Sequence, residues 1–144
     1  MAYSTLADVQ IAVGGAARLV ALADFDKDGV ADAGVVDAAI AEADGEINSY
    51  AKAHFAIPIV PTPNNFAKRS ARMAARYLRR DRGMLTTQDV EDEKADREWL
   101  RDLAGGKVHP DVTPTPTQSS LVVDKAAPRD SSKNVSREKT KGYW

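Results

Sequence analysis

Aspartates crowd the segment between residues 24 and 32, the part of this sequence that most resembles a metal-binding motif. Asp24, Asp26 and Asp28 alternate along the chain, Gly29 follows them, and Asp32 comes three residues later. This spacing matches positions 1, 3, 5, 6 and 9 of a calcium-binding loop, where clustered oxygen atoms surround a hard cation and the glycine permits a sharp turn. It predicts a weak divalent-cation site, with calcium as the candidate cofactor.

A second interpretation of the same segment involves no metal. The last ligand of a calcium loop is a bidentate glutamate, but Val35 occupies that position and Asp37 lies two residues beyond it. Aspartates in turns accept hydrogen bonds from nearby backbone N–H groups and cap the helix that follows. We favour this acidic turn over the metal site, and we expect a calcium sensor in neither case.

Basic residues dominate the segment 68–82, where Asp81 is the only acidic residue. The seven are Lys68, Arg69, Arg72, Arg76, Arg79, Arg80 and Arg82. Four of them recur at intervals of three and four residues and therefore share one stripe of a helix: Arg69, Arg72, Arg76 and Arg80. Such a stripe could line a channel and contact the phosphates of DNA without reading its sequence.

Charge pairing is the plainer role for this stripe. The next helical segment carries acidic partners for it, in the same subunit or in a neighbouring one: Glu91, Asp92, Glu93, Asp96, Glu98 and Asp102. The formal net charge of the chain is -1, and the two segments are adjacent and opposite in sign. We therefore favour pairing over DNA contact.

The composition changes at residue 107. Residues 107–144 contain four prolines and many serines and threonines, and their only apolar cluster is Leu121-Val122-Val123. Such a segment buries too little apolar surface to offset an ordering cost of about 1–2 kcal/mol per residue. We therefore predict two parts, a helical domain over 1–106 and an extended docking arm over 107–144 that a partner holds.

Three groups of residues give the arm its predicted contacts. Leu121, Val122 and Val123 could add a strand to the edge of a partner's sheet. Tyr143 and Trp144 could anchor its end, since aromatic residues dominate interface hot spots. An acidic surface would be contacted by Lys133, Arg137, Lys139 and Lys141. The competing interpretation is a solvated linker.

Motifs of catalysis are missing from the sequence. The chain has no cysteine, and its two histidines, His54 and His109, have no partner at metal-ligand spacing. There is no G-x-S-x-G elbow, P-loop or G-x-G-x-x-G motif. We expect no catalytic residue and therefore no enzyme.

Helical periodicity runs through residues 1–106, which predicts an all-α bundle of about four helices with the extended arm following it. Thr5 and Asp8 form a capping-box pattern, and Gly14-Gly15 divides the first helical segment into two short helices with a bend. A second amphipathic segment begins at Asp32 and ends near His54-Phe55. Its core face comprises Val36, Ala39, Ile40, Ala43, Ile47, Tyr50 and Ala51.

Prolines punctuate the following residues. Segment 56–63 contains three of them and should be an extended connector, with Thr62 capping the third helix and Pro63 in its first turn. The core face of that helix is Phe66, Ser70, Met73, Ala74, Tyr77 and Leu78. Thr86 and Asp89 cap a fourth helix that ends at Gly105-Gly106. Its buried side is Val90, Trp99, Leu100 and Leu103.

Length and composition limit the number of domains and the classes of protein to which this chain could belong. The chain has 144 residues, of which 43% are apolar, and this is enough for one domain and an extension. A balanced charge argues against a free-standing nucleic-acid binder. Neither a signal peptide nor a membrane-spanning apolar run is evident, so we expect a soluble protein made in a cytoplasm.

Several segments, taken in order, resemble one known family. They are Tyr3–Asp8, Asp24–Gly29, Asp32–Val36, Glu46–Tyr50 leading to Ile57-Pro58-Ile59, Trp99–Val108, Asn134–Arg137 and Lys141–Trp144. The set is similar to the neck, or head-to-tail adaptor, family of Mu-like phages and prophages, long described as a domain of unknown function. One departure is that the aromatic residue usual between Val135 and Ser136 is absent.

The resemblance implies a structural role in the virion neck. It implies a ring of twelve subunits, assembled in the host cytoplasm and bound beneath the portal protein. The ring would extend the DNA channel, with the genome passing through its lumen, and would join the head to the tail or to a tail-completion protein, away from any membrane. Two alternatives stay open: a small calcium-binding regulatory module, and an accessory protein that binds nucleic acid through the third helix.

Overall fold

The computed structural model describes residues 1–109, and within them the chain is all-helical, as predicted. Five helices follow one another: α1 (Leu6–Val13), α2 (Ala16–Ala23), α3 (Ala33–Ala51), α4 (Asn64–Asp81) and α5 (Thr87–Ala104). The predicted boundary between the domain and the arm, at residue 107, stays a prediction because the described part ends just beyond it.

Local signals in the sequence define the first two helices. Thr5 and Asp8 form the predicted capping box, in which each side chain satisfies the other residue's backbone N–H. Gly14 ends α1 with a φ of +93°, a left-handed conformation that an L side chain rarely adopts. The chain therefore turns sharply, and α1 and α2 are bent by 100° relative to each other.

The centre of the domain is the contact between α3 and α4. Small side chains let the two helices approach closely, and the largest fully buried side chains around them are Phe66, Ile47, Met73 and Leu78. Burying a side chain of this size stabilises the fold by about 1.5–3 kcal/mol. Because α1 and α5 also pack on this pair, α4 has neighbours on several sides. Its position makes α4 the element that places most of the candidate functional side chains.

The connector between α3 and α4 is tied to the N-terminus. Ile59 is buried, and its N–H donates to the Tyr3 hydroxyl at 3.0 Å. That hydroxyl in turn donates to the Asn48 side chain. Ile57 and Val60, by contrast, are exposed. The predicted extended, apolar connector is therefore anchored mainly through Ile59.

Several boundary and burial predictions were wrong. The N-cap of α4 is Pro63 and not Thr62, so this helix begins without a side-chain cap. Asp32 is the N-cap of α3, but its carboxylate accepts the N–H of Phe25 instead of capping the helix. Val90 is predicted on the buried side of α5 and is 44% exposed, because it lies about 100° round the helix from the buried Asp89.

Other expected core positions are only half-buried, namely Tyr50 and Trp99. Among the described helices, none alone is long and apolar enough to cross a bilayer; α1 and α2 reach that length only as a pair, across their bend.

Candidate functional site: the arginine helix and the acidic loop

Three arginines of α4 converge on one carboxylate of α5, that of Asp96. The nitrogen–oxygen distances are 2.5 Å from Arg69, 3.3 Å from Arg72 and 2.9 Å from Arg76. Their spacing along α4 places all three on the side of the helix that faces α5. The pairing inferred from the sequence is therefore present within a single subunit at this point.

Burial makes this cluster a structural element. The side chains of Asp96 and Arg76 are only 3% and 7% exposed, whereas that of Arg72 is 53% exposed. Arg69 also stacks on the Trp99 ring, 4.3 Å from its centroid. Burial lowers the pKa of Arg69, with Asp96 acting in the opposite direction. One carboxylate faces three guanidinium groups, so the cluster keeps an excess of positive charge.

A second ion pair runs alongside the first and fixes the direction of α5. Arg79 donates to Asp89 at 2.6 Å, and Asp89 also forms the capping box of α5 with Thr86. Because Asp89 lies opposite the end of α4 and Asp96 opposite its middle, the two helices are antiparallel. We call this pair of helices the α4–α5 hairpin.

Arg80 does not belong to the stripe that the sequence predicted. It turns towards α3 and forms a two-pronged ion pair with Glu42, at 2.9 and 3.1 Å. Arg82 donates to the backbone oxygens of Leu22 and Asp24, and it covers one face of the Phe25 ring. The end of α4 therefore holds the loop that follows α2.

The acidic partners were only partly predicted. Of the six proposed, Asp96 alone pairs with α4 within residues 1–109, while the partners Asp89 and Glu42 were missed. The sequence identifies Asp89 as a helix cap. It does not distinguish a capping aspartate that also binds an arginine from one that does not. Glu42 lies far away along the chain. A DNA-channel or inter-subunit role for these arginines stays a prediction.

The acidic loop, residues 24–32, is folded around Asp24. Its carboxylate accepts the N–H groups of Lys27 (2.6 Å), Asp28 (3.2 Å) and Gly29 (3.0 Å). Asp28 in turn accepts the N–H of Val30 at 2.8 Å. These are the local backbone contacts expected of an acidic turn. They hold the loop in one shape while most of its side chains face water.

The same folding brings Asp24, Asp26 and Asp28 together. One carboxylate oxygen of each lies within 4.8 Å of the others, a separation that a shared cation could span. Asp32 does not join them, because its carboxylate accepts the N–H of Phe25. Three of the four predicted ligands are thus clustered, and calcium binding stays a prediction.

The pKa values of Asp24 and Asp26 are shifted in opposite directions. Desolvation would raise the pKa of Asp24, but the N–H donors of Gly29, Lys27 and Asp28 outweigh it and lower that pKa. The N–H of Asp28 acts to lower the pKa of Asp26, yet desolvation and the nearby carboxylates outweigh it, so this pKa is raised. Asp26 also accepts fewer backbone N–H groups than Asp24, a single one from Asp28 at 3.2 Å.

A polar network that the sequence did not reveal holds the N-terminus to the domain. Asp44, in the middle of α3, is 7% exposed and accepts from the Tyr3 N–H at 2.9 Å and the Ser70 hydroxyl at 2.6 Å. The Ser4 hydroxyl lies 2.7 Å from that of Ser70. The only signal was an acidic residue on an otherwise apolar helix face.

Other predicted sites have mixed outcomes. His54 lies 2.8 Å from the backbone oxygen of Ala104 through its Nε2, as a structural histidine would. The predicted arm contacts all lie outside the described residues: Leu121, Val122, Val123, Lys133, Arg137, Lys139, Lys141, Tyr143 and Trp144. Their docking role stays a prediction.

Comparison with protein families gives the class first: this is a phage structural or morphogenetic protein, associated with the virion. The matching family model is described as bacteriophage Mu, Gp36, and because it covers residues 3–124, the chain belongs to that family. The match extends beyond the five helices into the segment predicted to be the arm. None of the curated proteins matches this chain.

Proposed function

We propose that this protein is a head-to-tail adaptor, one subunit of a ring beneath the portal of a Mu-like phage. Membership of the bacteriophage Mu Gp36 family over residues 3–124 is the observation that carries the proposal. The ring, of twelve subunits, extends the DNA channel and joins the head to the tail or to a tail-completion protein. The role is mechanical and involves no catalysis.

The described domain suits such a role because most arginines of its hairpin are ion-paired within the same subunit. Asp96 and Asp89 occupy most of the arginines that line the α4–α5 contact. Buried, multiply bonded side chains hold two helices in one geometry, which a subunit repeated around a ring requires. Lys68 and Arg72 stay exposed on α4 and are available to a neighbouring subunit or to DNA in the lumen.

Electron microscopy of the native particle tests the proposal directly. A ring of this chain should lie between the portal and the tail, with the five helices fitting each subunit. Particles in which this density belongs to another protein, or in which the chain occurs elsewhere, would overturn it.

Docking through the arm is tested separately. Replacing Tyr143 and Trp144 by alanine should reduce incorporation into particles while leaving the melting temperature of the purified protein unchanged, because both residues lie beyond the predicted helical domain, residues 1–106. A matched control is Lys94→Ala on the exposed face of α5. Normal incorporation of the double variant would contradict the docking role of these two residues.

The alternative function is a small calcium-binding module, and the close approach of three loop carboxylates favours it. Calorimetry with calcium should then show micromolar affinity, with loss of binding in Asp26→Asn. If no heat is detected and assembly in a chelator is normal, the calcium module is excluded and the adaptor proposal is unaffected.

A further inference from the structure

We infer that the acidic loop of one copy docks into a basic groove along α4 of the next copy, so that this contact joins neighbours in the ring. The inference rests on the proposed adaptor function and names the surfaces through which its subunits meet. We call the second surface the α4 groove.

The α4 groove consists of two adjoining cavities that share Ala12 and Arg72 in their walls. Their volumes are about 510 and 590 Å³. Helices α1 and α2 form one wall, and α4 forms the base. Ile11 lines the groove and is 78% exposed, next to small residues such as Ala71. An exposed isoleucine above an alanine-lined base is an apolar surface that a partner could cover.

Positive charge surrounds this apolar base. Arg18 and Lys68 line the groove, and neither forms an ion pair within the described part of the chain. Arg72 is bound to Asp96 only at 3.3 Å and is 53% exposed. Arg76 lines the groove as well; its side chain is 7% exposed, and its buried Nε has no hydrogen-bond partner among residues 1–109. These side chains together favour a ligand that brings carboxylates.

The three carboxylates that also line the groove are already engaged. Asp8 caps α1 together with Thr5. Asp89 is bound by Arg79, and Asp92 accepts from the side chain of Gln88 at 2.9 Å. They therefore leave the charge of Arg18 and Lys68 unopposed by a direct contact.

The acidic loop has the complementary character. It carries four aspartates against one lysine, and its exposed apolar side chains are Phe25 (49%) and Val30 (62%). Its backbone is already fixed by the contacts of Asp24 and Asp28. Docking a pre-folded loop loses little conformational entropy, and apolar and acidic groups on one tip match an apolar, basic groove.

The positions of the two surfaces suit a ring. Arg82 binds the loop at the C-terminal end of α4, whereas one of the two groove cavities extends to Asn64 at the N-terminal end. A surface that fits another part of the same molecule, and not itself, produces head-to-tail contacts. Such contacts close into a ring when the rotation from one subunit to the next is a whole-number fraction of a full turn with no rise along the axis.

Other occupants of the groove fit less well. Residues 110–144 hold six basic and four acidic residues, so the arm of a neighbour would bring like charge to Arg18 and Lys68. Duplex DNA would satisfy the charge but would leave Ile11 without an apolar partner. We therefore assign the groove to the acidic loop, and the experiments below separate these occupants.

Cross-linking in particles tests the contact, because the chain contains no cysteine. The double variant Ile11→Cys with Val30→Cys, treated with a short bis-maleimide, should give a ladder of covalent multimers. Each single variant can give dimers at most, which makes the single variants matched controls. Absence of the unsubstituted chain from particles would overturn the proposed adaptor function. Incorporation of the double variant without multimers larger than dimers would overturn the loop–groove contact alone.

Charge reversal gives a second, independent measurement. Arg18→Glu with Lys68→Glu should lower incorporation roughly tenfold or more, and so should Asp26→Lys with Asp28→Lys, because each set places like charges together. All four changes combined should restore most of the incorporation. Melting temperatures of the purified variants exclude misfolding, and Glu91→Lys on the outer face of α5 is the control. Failure of the combined variant to recover would exclude the loop as the occupant. Loss in the groove variant alone would then indicate DNA, whereas undiminished incorporation of the groove variant would indicate the basic arm.

Discussion

Two groups of aspartates in this chain bind different hydrogen-bond donors and differ in their exposure to water. In the acidic loop, backbone N–H groups bind the carboxylate of Asp24, and the loop faces water. In the α4–α5 hairpin, guanidinium groups bind Asp96 and Asp89, whose side chains are 3% and 5% exposed. The residue type is the same, but the donors and the distance from water differ.

That difference separates an available charge from a structural one. A carboxylate enclosed by arginines has its oxygen atoms occupied, and it stabilises the fold because buried cations depend on it. A carboxylate on an exposed turn satisfies local N–H groups and still presents oxygen atoms outwards, as Asp26 does. We therefore expect substitutions in the hairpin to affect stability and substitutions in the loop to affect binding.

Removing the central hairpin carboxylate should have the largest effect on stability. Asp96→Ala leaves the buried Arg76 without a counter-charge and should lower the free energy of unfolding by roughly 3–5 kcal/mol. Urea denaturation measures this change. The matched control is Glu91→Ala on the exposed side of the same helix, which should alter stability by no more than about 0.5 kcal/mol. Equal effects of the two variants would contradict a structural role for the cluster.

Asp44 sharpens the comparison, because it is buried like Asp96 yet bound by neutral donors. Asp44→Ala leaves the Tyr3 N–H and the Ser70 hydroxyl without their acceptor and should cost about 2 kcal/mol in urea denaturation. Asp44→Asn keeps one acceptor oxygen and should cost less. If the alanine and asparagine variants were equally destabilised, the charge of Asp44 and not its hydrogen bonds would be the important property.

Acid should weaken the hairpin through Asp89. Burial would raise the pKa of Asp89, but the Thr86 backbone and hydroxyl groups and Arg79 outweigh it and lower the pKa below its ordinary value of 3.8. Because the folded pKa is depressed, this stabilisation is complete above pH 3.8 and is lost as the pH falls through the lower, folded value.

The variant Asp89→Asn removes this titration. The difference in unfolding free energy between the original chain and the variant should be constant above about pH 5 and should shrink as the pH falls below the ordinary aspartate value. Denaturation series at several pH values measure it. A difference that stays constant down to pH 2 would show that Asp89 acts as a cap without a charge-dependent contribution.

Sequence patterns predicted those parts of the fold that depend on nearby residues. Three such features are present: the capping boxes at Thr5 and Thr86, and the break between α1 and α2 at Gly14-Gly15. Each depends on residues only a few positions apart. Helical periodicity also identified the core faces of α3 and α4, since Ile47 and Phe66 are fully buried.

Long-range partners were harder to predict. Arg80 has the spacing of the arginine stripe but binds Glu42, because at this end of α4 it is Arg79 that faces α5, and Arg80 lies about 100° further round the helix. Likewise, nothing in the sequence distinguishes Asp96 from its acidic neighbours on α5. Which of several similar charges becomes buried depends on how the helices cross, and periodicity carries no information on that.

The smallest expected effect concerns the loop itself. Asp24→Ala should make the amide hydrogens of Lys27 and Gly29 exchange severalfold faster, because both donate to its carboxylate, whereas the melting temperature should hardly change. Asp26→Ala is the matched control, since it accepts only one such bond, at 3.2 Å. Hydrogen exchange followed by NMR resolves these amides individually. If Asp24→Ala also lowered the melting temperature as much as Asp44→Ala, the loop would be a structural part of the domain, and its carboxylates would belong with those of the hairpin.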